Sequence, residues 1–474
     1  MANDPILTAF DHLVSGRGES ILVASPEQNA SVADVNGLAG LVKTHVSDAE
    51  IPVEGLVGLA ALNGPGFFAG YLGLRRAGFR VLLIDWPVPA AELDRTLLAL
   101  RAVGALIVKK PWPDQPGDFE YRPGSAVETG VELSADVSTV RLTSGSTGLP
   151  RGIAHTSEAL LNDDQALRDT MGLQDERVLA ATPLSHAYGF SSVFLPALSC
   201  GWTVVVPGDG GPFGVTDASL AGRVTFLPTV PAFLNSLLKL KEPPTLSDSL
   251  RLIISAGAPL RPETAIRFKE VYGRDVHVFY GASEVGGITY DREGSAAVRG
   301  TLGSPVKGVK IDLVPDDSNE PGSGIVEVNS ASAAVGYYPA PESSLQGGRF
   351  TTSDIGRFEG SELVLLGRVD DVINVRGKKV SPREVQALIE NLPGVDEAVV
   401  VKAPAADGSG DTVQVLVAAQ EHALTDVELL DACKAQLAVH KIPRRFRIVG
   451  SIPRTPRGKI DHEAVRAILS EGNA

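Results

Sequence analysis

The chain has 474 residues, which at about 100–200 residues per domain predicts two to four domains or subdomains. Its hydrophobic content of 43% and charged content of 21% are typical of globular proteins, and a formal net charge of −14 argues against a nucleic-acid-binding surface. The two cysteines are too few for a disulfide framework or a zinc site, and no signal peptide or membrane span is recognisable, so we expect a cytoplasmic protein.

Strand-like and helix-like patterns alternate from residue 57 to about residue 110 and resume after the glycine-rich stretch at 143–152. The predicted strands are short apolar runs at 57–62, 79–85, 105–110, 177–184, 203–208, 223–228, 250–257 and 276–282. The predicted helices lie between them, at 64–78, 90–104, 230–241 and 261–273. This alternation favours βαβ units and a parallel sheet.

The pattern changes from about residue 300. Short β-like runs separated by glycine, proline and acidic turns indicate a smaller β subdomain. Beyond Arg368, predicted helices at 382–392 and 425–439 alternate with strands, which indicates a separate α/β domain of about a hundred residues. We place the boundary inside RVDDVINVRGKK (368–379).

The stretch TSGSTGLPRG (143–152) contains three glycines and four hydroxyl side chains. Glycines let backbone amides turn inward, and together with hydroxyl donors such a loop can wrap a phosphate. By composition alone, a flexible linker between two domains fits equally well. The spacing is not that of a Walker A motif, which argues against a P-loop kinase or ATPase.

Three further stretches contain candidate ligand-binding residues. FYGASE ends in Glu284 after a predicted strand, and a carboxylate beside a phosphate loop is a candidate Mg²⁺ ligand. TTSDIGR contains Asp354, a candidate acceptor for ribose hydroxyls, and PRTPRGKID contains Lys459 in a loop near the C-terminus. Taken singly, each of these residues is more often a solvated turn or surface residue.

In their order and spacing, five stretches resemble the motifs of the adenylate-forming superfamily, which includes acyl- and aryl-CoA synthetases, peptide-synthetase adenylation domains and beetle luciferases. Residues 143–152 resemble the family pattern T-S-G-[ST]-T-G-x-P-[KR]-G, and residues 280–284 resemble Y-G-x-[TS]-E. Asp354 matches the ribose-binding Asp, residues 367–371 the hinge motif G-R-x-D-D, and residues 453–459 the closing P-x-T-x-x-G-K. The resemblance covers nearly the whole chain.

The resemblance implies an α/β fold in two domains. A large N-terminal domain of stacked α/β subdomains plus a small β subdomain would span 1–369, and a mobile α+β C-terminal domain would span 370–474. It also implies two half-reactions, in which ATP and a carboxylic acid give an acyl-adenylate and pyrophosphate, and a thiol, usually of coenzyme A, then displaces AMP. The implied enzyme class is an AMP-forming acid–thiol ligase that uses Mg²⁺.

The resemblance assigns nucleotide binding to the phosphate loop, the SAGAPL segment, the YGASE segment and the ribose-binding Asp. The implied nucleotide-binding residues are Thr143, Ser144, Gly145, Ser146, Thr147, Gly148, Arg151, Gly257, Ala258, Pro259, Tyr280, Gly281, Ala282, Ser283 and Asp354. Two positions depart from the commoner family pattern: Arg151 stands where many members carry Lys, and Ser283 where Thr is commoner.

Three residues are implied to act in catalysis. Lys459 would bridge the attacking carboxylate oxygen and the α-phosphate, and Arg368 would assist at the ribose or phosphate. Glu284, with Thr143, would hold Mg²⁺ and so offset the charge of the leaving pyrophosphate.

For the thioester step, the resemblance implies that the C-terminal domain rotates about a hinge at Asp370. Arg376, Gly377 and Lys378 would then line the path of coenzyme A.

The segment PLSHAYGFSSVF (183–194) corresponds to the acyl pocket of the family, with His186, Tyr188 and Gly189 as its candidate residues. Members that activate amino acids place an Asp where this chain has Tyr188, and residues 183–194 contain no acidic residue. A buried ammonium without a partner is costly, so an amino-acid substrate is disfavoured. The pattern resembles aryl- and fatty-acyl-CoA ligases and favours a hydrophobic or aromatic acid, although His186 could also be a core histidine.

Four functions remain open at this point. The first is a free-standing acyl- or aryl-CoA synthetase, and the second is a ligase that loads a separate carrier protein. The third is a luciferase-like oxygenase, which shares every motif. The fourth is a non-catalytic nucleotide-binding protein, against which the intact Lys459 and Glu284 argue.

Overall fold

A computed structural model describes the protein over residues 4–48, 55–124, 133–144, 150–208, 212–315, 321–369, 373–375, 378–380, 382–404, 411–419, 424–454 and 460–470. In chain order the strands are β1 (Ile21–Ala24), β2 (Asn29–Ser31), β3 (Leu56–Ala60), β4 (Arg80–Ile84), β5 (Gly104–Val108), β6 (Phe119–Pro123), β7 (Val137–Ser144), β8 (Pro150–Thr156), β9 (Arg177–Leu179), β10 (Thr203–Val205), β11 (Phe226–Thr229), β12 (Leu252–Ser255), β13 (His277–Ala282), β14 (Gly286–Tyr290), β15 (Ser304–Pro305), β16 (Lys310–Val314), β17 (Ser323–Asn329), β18 (Gly336–Tyr338), β19 (Leu345–Gln346), β20 (Arg349–Glu359), β21 (Glu362–Arg368), β22 (Ile373–Val375), β23 (Lys378–Val380), β24 (Val395–Pro404), β25 (Asp411–Ala419) and β26 (Arg445–Val449).

The helices alternate with these strands over most of the chain. In chain order they are α1 (Pro5–Arg17), α2 (Val32–Ser47), α3 (Pro65–Arg76), α4 (Ala90–Ala99), α5 (Ser157–Met171), α6 (Ala187–Gly189), α7 (Leu195–Cys200), α8 (Pro212–Ala221), α9 (Pro231–Leu238), α10 (Pro262–Tyr272), α11 (Ala296–Arg299), α12 (Pro382–Glu390), α13 (Asp426–Gln436) and α14 (His462–Ser470). A π-helical turn, Phe190–Phe194, joins α6 to α7. No helix in the described part of the chain is long and apolar enough to cross a membrane.

A seven-stranded sheet has the order β18-β8-β7-β4-β3-β5-β6. Its central strands β7, β4, β3 and β5 are parallel, and antiparallel strands flank them on both sides. Every residue of β3 and β5 is buried, as is typical of parallel strands covered by helices on both faces. The predicted parallel sheet is confirmed.

A nine-stranded sheet has the order β15-β14-β13-β12-β11-β9-β10-β1-β2, and its strands from β13 to β1 are parallel. One hydrophobic core contains buried residues of both sheets and of the helices α1, α2, α3 and α7. Helix α3 is buried along almost its whole length, and its Phe67, Phe68 and Tyr71 rings pack around Phe194. The stacked α/β arrangement expected for the large domain is therefore observed.

The chain forms two compact units. The first contains Met1–Asp312, Glu327–Thr351 and Gly360–Leu363, and the second contains Leu313–Val326, Thr352–Glu359 and Val364–Ala474. A five-stranded sheet has the order β16-β17-β20-β19 with β21 beside β20, which is the expected β subdomain, and the division between the units passes through its strands.

The C-terminal part of the second unit has a core of its own. Strands β24 and β25 are antiparallel, and β26 pairs in parallel with β25. Apolar residues of α12 and α13 pack with this sheet around Val415 and Leu429. Helix α13 begins at a capping box, in which Thr425 and Glu428 each accept a hydrogen bond from the other's backbone amide.

Candidate active site

The two ends of the phosphate loop are held together by antiparallel pairing. Thr143 near the end of β7 lies opposite Arg151 near the start of β8, and Ser144 lies opposite Pro150. The loop therefore connects adjacent strands of one sheet, and the alternative of a linker between domains is wrong. Its central residues Gly145, Ser146, Thr147 and Gly148 lie outside the described residues.

Arg151 is oriented by two contacts. Its guanidinium forms a 2.7 Å ion pair with Glu342 and lies 4.3 Å from the centre of the Tyr337 ring. A planar guanidinium can stack on a ring and bind a carboxylate at the same time, which a lysine ammonium does less well. The departure from Lys at this position thus has a local structural reason.

Glu284 follows β13 and is half-buried. Its Oε1 accepts a 2.8 Å hydrogen bond from the Tyr337 hydroxyl, and its carbonyl accepts one from the Ala334 amide at 2.8 Å. Burial, followed by the nearby Glu284 charge, raises the pKa of Tyr337, so the phenol stays protonated and remains a donor at neutral pH.

Tyr337 therefore links the candidate Mg²⁺ ligand to the candidate phosphate-binding cation. We call Glu284, Tyr337, Arg151 and Glu342 the Tyr337 chain. Tyr337 and Glu342 are not among the residues predicted from the sequence; both lie in GYYPAPES (336–343), within the region predicted to be the β subdomain. This stretch has two tyrosines followed by two prolines, but nothing in its sequence indicates that it lies beside the phosphate loop.

The residues present fit a magnesium ion that is shared with phosphates. Among the described residues, no group of three or more His, Cys, Asp or Glu side chains could hold a metal. Mg²⁺ commonly takes one or two carboxylates and completes its shell with phosphate oxygens and water. The half-buried Glu284 carboxylate is a ligand of this kind, and Thr143, whose hydroxyl is predicted to be the second ligand, lies near the end of β7.

The candidate adenine-binding segments lie at the carboxyl ends of neighbouring parallel strands. Gly257, Ala258 and Pro259 follow β12 and are exposed, and Tyr280 lies in β13. Gly257 has φ +79°, a conformation that a side chain would strain. Ligands of open α/β sheets bind at such strand ends, so the position of these segments is compatible with the predicted nucleotide site.

Asp354 and Arg368 lie together in the second compact unit. The Arg368 Nε is 3.3 Å from Asp354 Oδ1, and its Nη2 donates to the Ser353 hydroxyl at 2.6 Å. The Thr352 hydroxyl accepts from the Asp354 amide at 3.0 Å. The two candidate ribose-site residues are thus brought together by the pairing of β20 with β21.

The candidate acyl pocket is built around α6. The His186 Nδ1 accepts a 3.3 Å hydrogen bond from the Tyr188 amide, and the imidazole is exposed, so it is not a core histidine. The Tyr188 ring stacks on Phe279, with 6.0 Å between centroids and 22° between planes. A side chain on Gly189 would overlap the Pro183 carbonyl, which explains the glycine at this position.

The segment that carries α6 is fixed by Asn63 and Asp85. The Asn63 amide donates to the carbonyls of Ala180 (3.1 Å) and Thr182 (2.9 Å), and its Oδ1 accepts from the Leu184 amide (2.8 Å). Asp85 accepts from the Ser185 hydroxyl at 2.9 Å. The strand predicted at 177–184 ends at Leu179. Beyond it, the carbonyls of Ala180 and Thr182 and the amide of Leu184 bond to Asn63 rather than to a neighbouring strand.

Several predicted site residues lie outside the described residues. They are the catalytic Lys459, the hinge Asp370, and Arg376 and Gly377 of the coenzyme A path. The backbone of Lys378 belongs to β23 and pairs with Val375. The roles of all these residues stay predictions.

Comparison with known proteins identifies the family. Residues 47–338, more than half of the chain, match the model of the AMP-binding enzyme, and residues 384–459 match that of the AMP-binding enzyme C-terminal domain. The chain belongs to the AMP-binding enzyme family. The adenylate-forming superfamily expected from five motifs is thereby confirmed.

Relatives of this AMP-binding enzyme include named CoA ligases. The chain is 30% identical over 456 residues to a 3-hydroxybenzoate–CoA ligase of Aromatoleum sp. (strain CIB), covering 86% of both chains. It is 31% identical over 359 residues to a probable CoA ligase of Humulus lupulus, covering 72% of this chain and 68% of the relative. These names support the expected enzyme class, an AMP-forming acid–CoA ligase.

The fold is also that of solved family structures. The crystal structure of ATP-bound MatB from Rhodopseudomonas palustris superposes with a TM-score of 0.83, covering 97% of this chain and 98% of the other at 23% identity. The predicted α/β fold class is confirmed over nearly the whole chain.

Proposed function

We propose that this AMP-binding enzyme activates a hydrophobic or aromatic carboxylic acid with ATP and transfers the acyl group to coenzyme A. In the first half-reaction a carboxylate oxygen attacks the α-phosphorus, and the bond to the β-phosphate breaks, releasing pyrophosphate. In the second, the coenzyme A sulfur attacks the acyl carbon, and AMP leaves. The observation that carries the proposal is the Tyr337 chain, in which the Tyr337 hydroxyl binds Glu284 and the Tyr337 ring contacts Arg151. Arg151 in turn lies opposite Thr143 in the pairing of β7 with β8.

The first half-reaction joins two anions, so positioning and charge neutralisation must supply most of the catalysis. Thr143 and the loop that follows it would bind the β- and γ-phosphates, and Arg151 would add a positive charge at the loop's far end. Lys459 would contact both the carboxylate and the α-phosphate, and removing one such cation typically costs about 10²–10³ in rate.

Glu284 and Thr143 would hold Mg²⁺ against the pyrophosphate. When bound, the ion offsets charge on the leaving group. The hydrogen bond from Tyr337 fixes the orientation of the Glu284 carboxylate. Asp354, which is paired with Arg368, would accept hydrogen bonds from the ribose hydroxyls.

The second half-reaction needs Lys459 to leave the site and a path for the thiol to form. We assign the hinge to Asp370, at the start of a C-terminal domain over 370–474, and the path to Arg376, Gly377 and Lys378.

The residues of the candidate acyl pocket support the choice of a hydrophobic or aromatic acid. The Tyr188 ring stacks on Phe279, which is buried in the core, and the Tyr188 hydroxyl lies 3.5 Å from the Ile254 carbonyl, so the surroundings of Tyr188 are largely apolar. Burial raises the pKa of Tyr188 well above its usual value, so this residue presents no charge to an ammonium group. The related 3-hydroxybenzoate–CoA ligase is named for an aromatic acid, in keeping with this choice.

The decisive experiment is acid-dependent exchange of labelled pyrophosphate into ATP, measured over benzoates, phenylpropanoids, fatty acids of increasing length and amino acids. We expect exchange with one class of apolar acid and none with amino acids. Nucleotide binding without exchange for any acid would instead favour a non-catalytic nucleotide-binding protein.

The acceptor is tested separately. With the preferred acid, we expect AMP release and thioester formation with coenzyme A. Formation of the adenylate without a coenzyme A thioester, together with acylation of a pantetheinylated carrier protein, would favour the carrier-loading alternative.

A further inference from the structure

Two oppositely charged side chains lie buried behind the turn that carries Glu284, and neither belongs to a recognised motif. Arg141 lies on β7, two residues before Thr143, and is 2% exposed. Asp163 lies on α5 and is 3% exposed. Burying a charged side chain is costly unless other groups interact with it. The partners of Arg141 and Asp163 therefore indicate which parts of the structure the two side chains hold in place.

Asp163 contacts the turn directly. Its Oδ1 accepts a 2.9 Å hydrogen bond from the Gly287 amide. A side chain on Gly286, which has φ +74°, would overlap the carboxylate, so the backbone and the carboxylate are in close contact. Gly286 pairs with Ala282, and Glu284 lies between them in the turn. The Asp163 carboxylate therefore packs directly against the backbone of this turn.

Arg141 connects the same cluster to the strand that leads into the phosphate loop. Its Nη2 donates to the Ser191 hydroxyl at 3.3 Å, and its guanidinium lies 5.1 Å from the centre of the Phe190 ring. Burial raises the pKa of Asp163, whereas the Gly287 amide, Arg141 and Ser191 lower it. Burial lowers the pKa of Arg141 to about 10, so the guanidinium is still charged at neutral pH.

We propose that Arg141 and Asp163 are positioning residues, which fix the Glu284 turn relative to the β7 end of the phosphate loop. The inference rests on the proposed function, because it takes Glu284 as the Mg²⁺ ligand. Neither residue is assigned contact with substrate. Their effect is to hold one metal-binding carboxylate at a set distance from the phosphates that share the metal.

The test compares Asp163→Asn with Asp164→Asn. Asp164 is the next residue of α5 and equally buried, but it binds Arg168 (3.2 Å) and the Ser199 hydroxyl (2.7 Å) rather than the turn. Ser191→Ala is a milder variant that removes only the hydroxyl next to both charges. The whole chain is used throughout.

The first readout is hydrogen–deuterium exchange of the metal-free protein. We expect amides in 282–287 to exchange at least fivefold faster in Asp163→Asn and about twofold faster in Ser191→Ala, and at the wild-type rate in Asp164→Asn. Equal rates in all four proteins, or equal acceleration in Asp164→Asn, would overturn the proposal. Should Asp163→Asn fail to fold, Ser191→Ala decides by the same comparison.

The second readout is the Mg²⁺ concentration that gives half-maximal pyrophosphate exchange. We expect it to rise at least fivefold in Asp163→Asn, with a smaller change in the rate at saturating Mg²⁺, and to be unchanged in Asp164→Asn. Loss of maximal rate alone would contradict a positioning role. If the wild-type protein shows no acid-dependent exchange, the proposed function fails, and hydrogen exchange still reports whether Asp163 holds the turn.

Discussion

Arg151 is the residue at which this chain departs from the commoner family pattern, and its contacts show why the departure is tolerated. It stacks on Tyr337 and pairs with Glu342, so its charge is held at the start of β8 by two partners that accommodate a planar group. The replacement of Lys by Arg looks conservative in the sequence, but the arginine makes a stacking contact and an ion pair that depend on its planar guanidinium.

We expect Arg151→Met to lower pyrophosphate exchange about 10²–10³-fold, because it removes a cation beside the phosphates. Arg151→Lys keeps the positive charge but loses the planar guanidinium that stacks on Tyr337. We therefore expect a smaller loss of exchange activity, mainly as a higher KM for ATP. Steady-state kinetics of exchange measure both. Arg122→Met removes an arginine from a 2.7 Å ion pair with Asp94 outside the site and serves as the control. Equal losses in Arg151→Met and Arg122→Met would contradict the assignment.

His155 is 1% exposed in β8, and burial, with the nearby Arg141 charge, holds its pKa well below the usual value. The folded protein therefore keeps His155 neutral, whereas the unfolded chain binds a proton at about pH 6.5. Stability must then fall as the pH drops below about 6.5, by up to about 1.4 kcal/mol per pH unit from this residue.

We expect His155→Gln to remove that contribution to the pH dependence. Urea unfolding at several pH values between 6.5 and 5 measures the slope of the free energy of unfolding against pH. His12 is exposed on α1, and His12→Gln should leave the slope unchanged. An unchanged slope in His155→Gln would show that another group is responsible.

At the scale of elements, the Asn63 side chain bonds the backbone that connects β9 to α6. Asn63 follows β3 of the seven-stranded sheet, yet it bonds three backbone groups after β9 of the nine-stranded sheet. It thereby fixes the distance between the two sheets where α6 begins. We therefore expect the position of Tyr188, in the candidate acyl pocket, to depend on this bridge.

We expect Asn63→Ala to raise the KM for the acid more than the KM for ATP, because α6 loses its anchor. The free energy of unfolding should also fall, at about 1–3 kcal/mol for each backbone group left buried and unpaired. Kinetics with varied acid and ATP, together with thermal unfolding, test both effects. Asn162→Ala is a matched control, since Asn162 donates to the Ala331 carbonyl at 3.3 Å and lies on α5. A proportionate rise of both KM values in Asn63→Ala would refute a specific role in the acyl pocket.

At the scale of the whole molecule, the proposed mechanism uses residues from both compact units. Strands β7 and β8, Glu284 and the candidate acyl-pocket residues belong to the first unit, whereas Asp354 and Arg368 belong to the second. The two half-reactions need different groups at the reacting atoms. In the proposed mechanism Lys459 serves the first step and leaves before the second, which the predicted hinge at Asp370 would allow.

We expect Lys459→Ala to reduce pyrophosphate exchange by at least about 10²-fold while thioester formation from supplied acyl-adenylate stays within about threefold of the wild-type rate. Lys434→Ala, which removes an exposed lysine paired with Asp431 in the same unit, should affect neither half-reaction. Single-turnover assays separate the two steps. Equal loss of both in Lys459→Ala would contradict a role confined to adenylation.

The sequence determined the fold class and most of the motif residues, because both are encoded locally. Alternating apolar strands and helices specify a parallel α/β sheet, and glycine- and hydroxyl-rich turns at strand ends mark where a nucleotide binds. In the structure Thr143 lies near the end of β7, Arg151 near the start of β8, and Glu284 directly after β13.

Only the tertiary structure decided which residues connect those motifs. Tyr337 joins Glu284 to Arg151, Asn63 joins the two sheets, and Arg141 with Asp163 lies behind the Glu284 turn. These partners are separated by tens to hundreds of positions along the chain and share no periodicity or motif. Their contacts arise when sheets and helices pack, so their roles depend on distances that a local pattern does not contain.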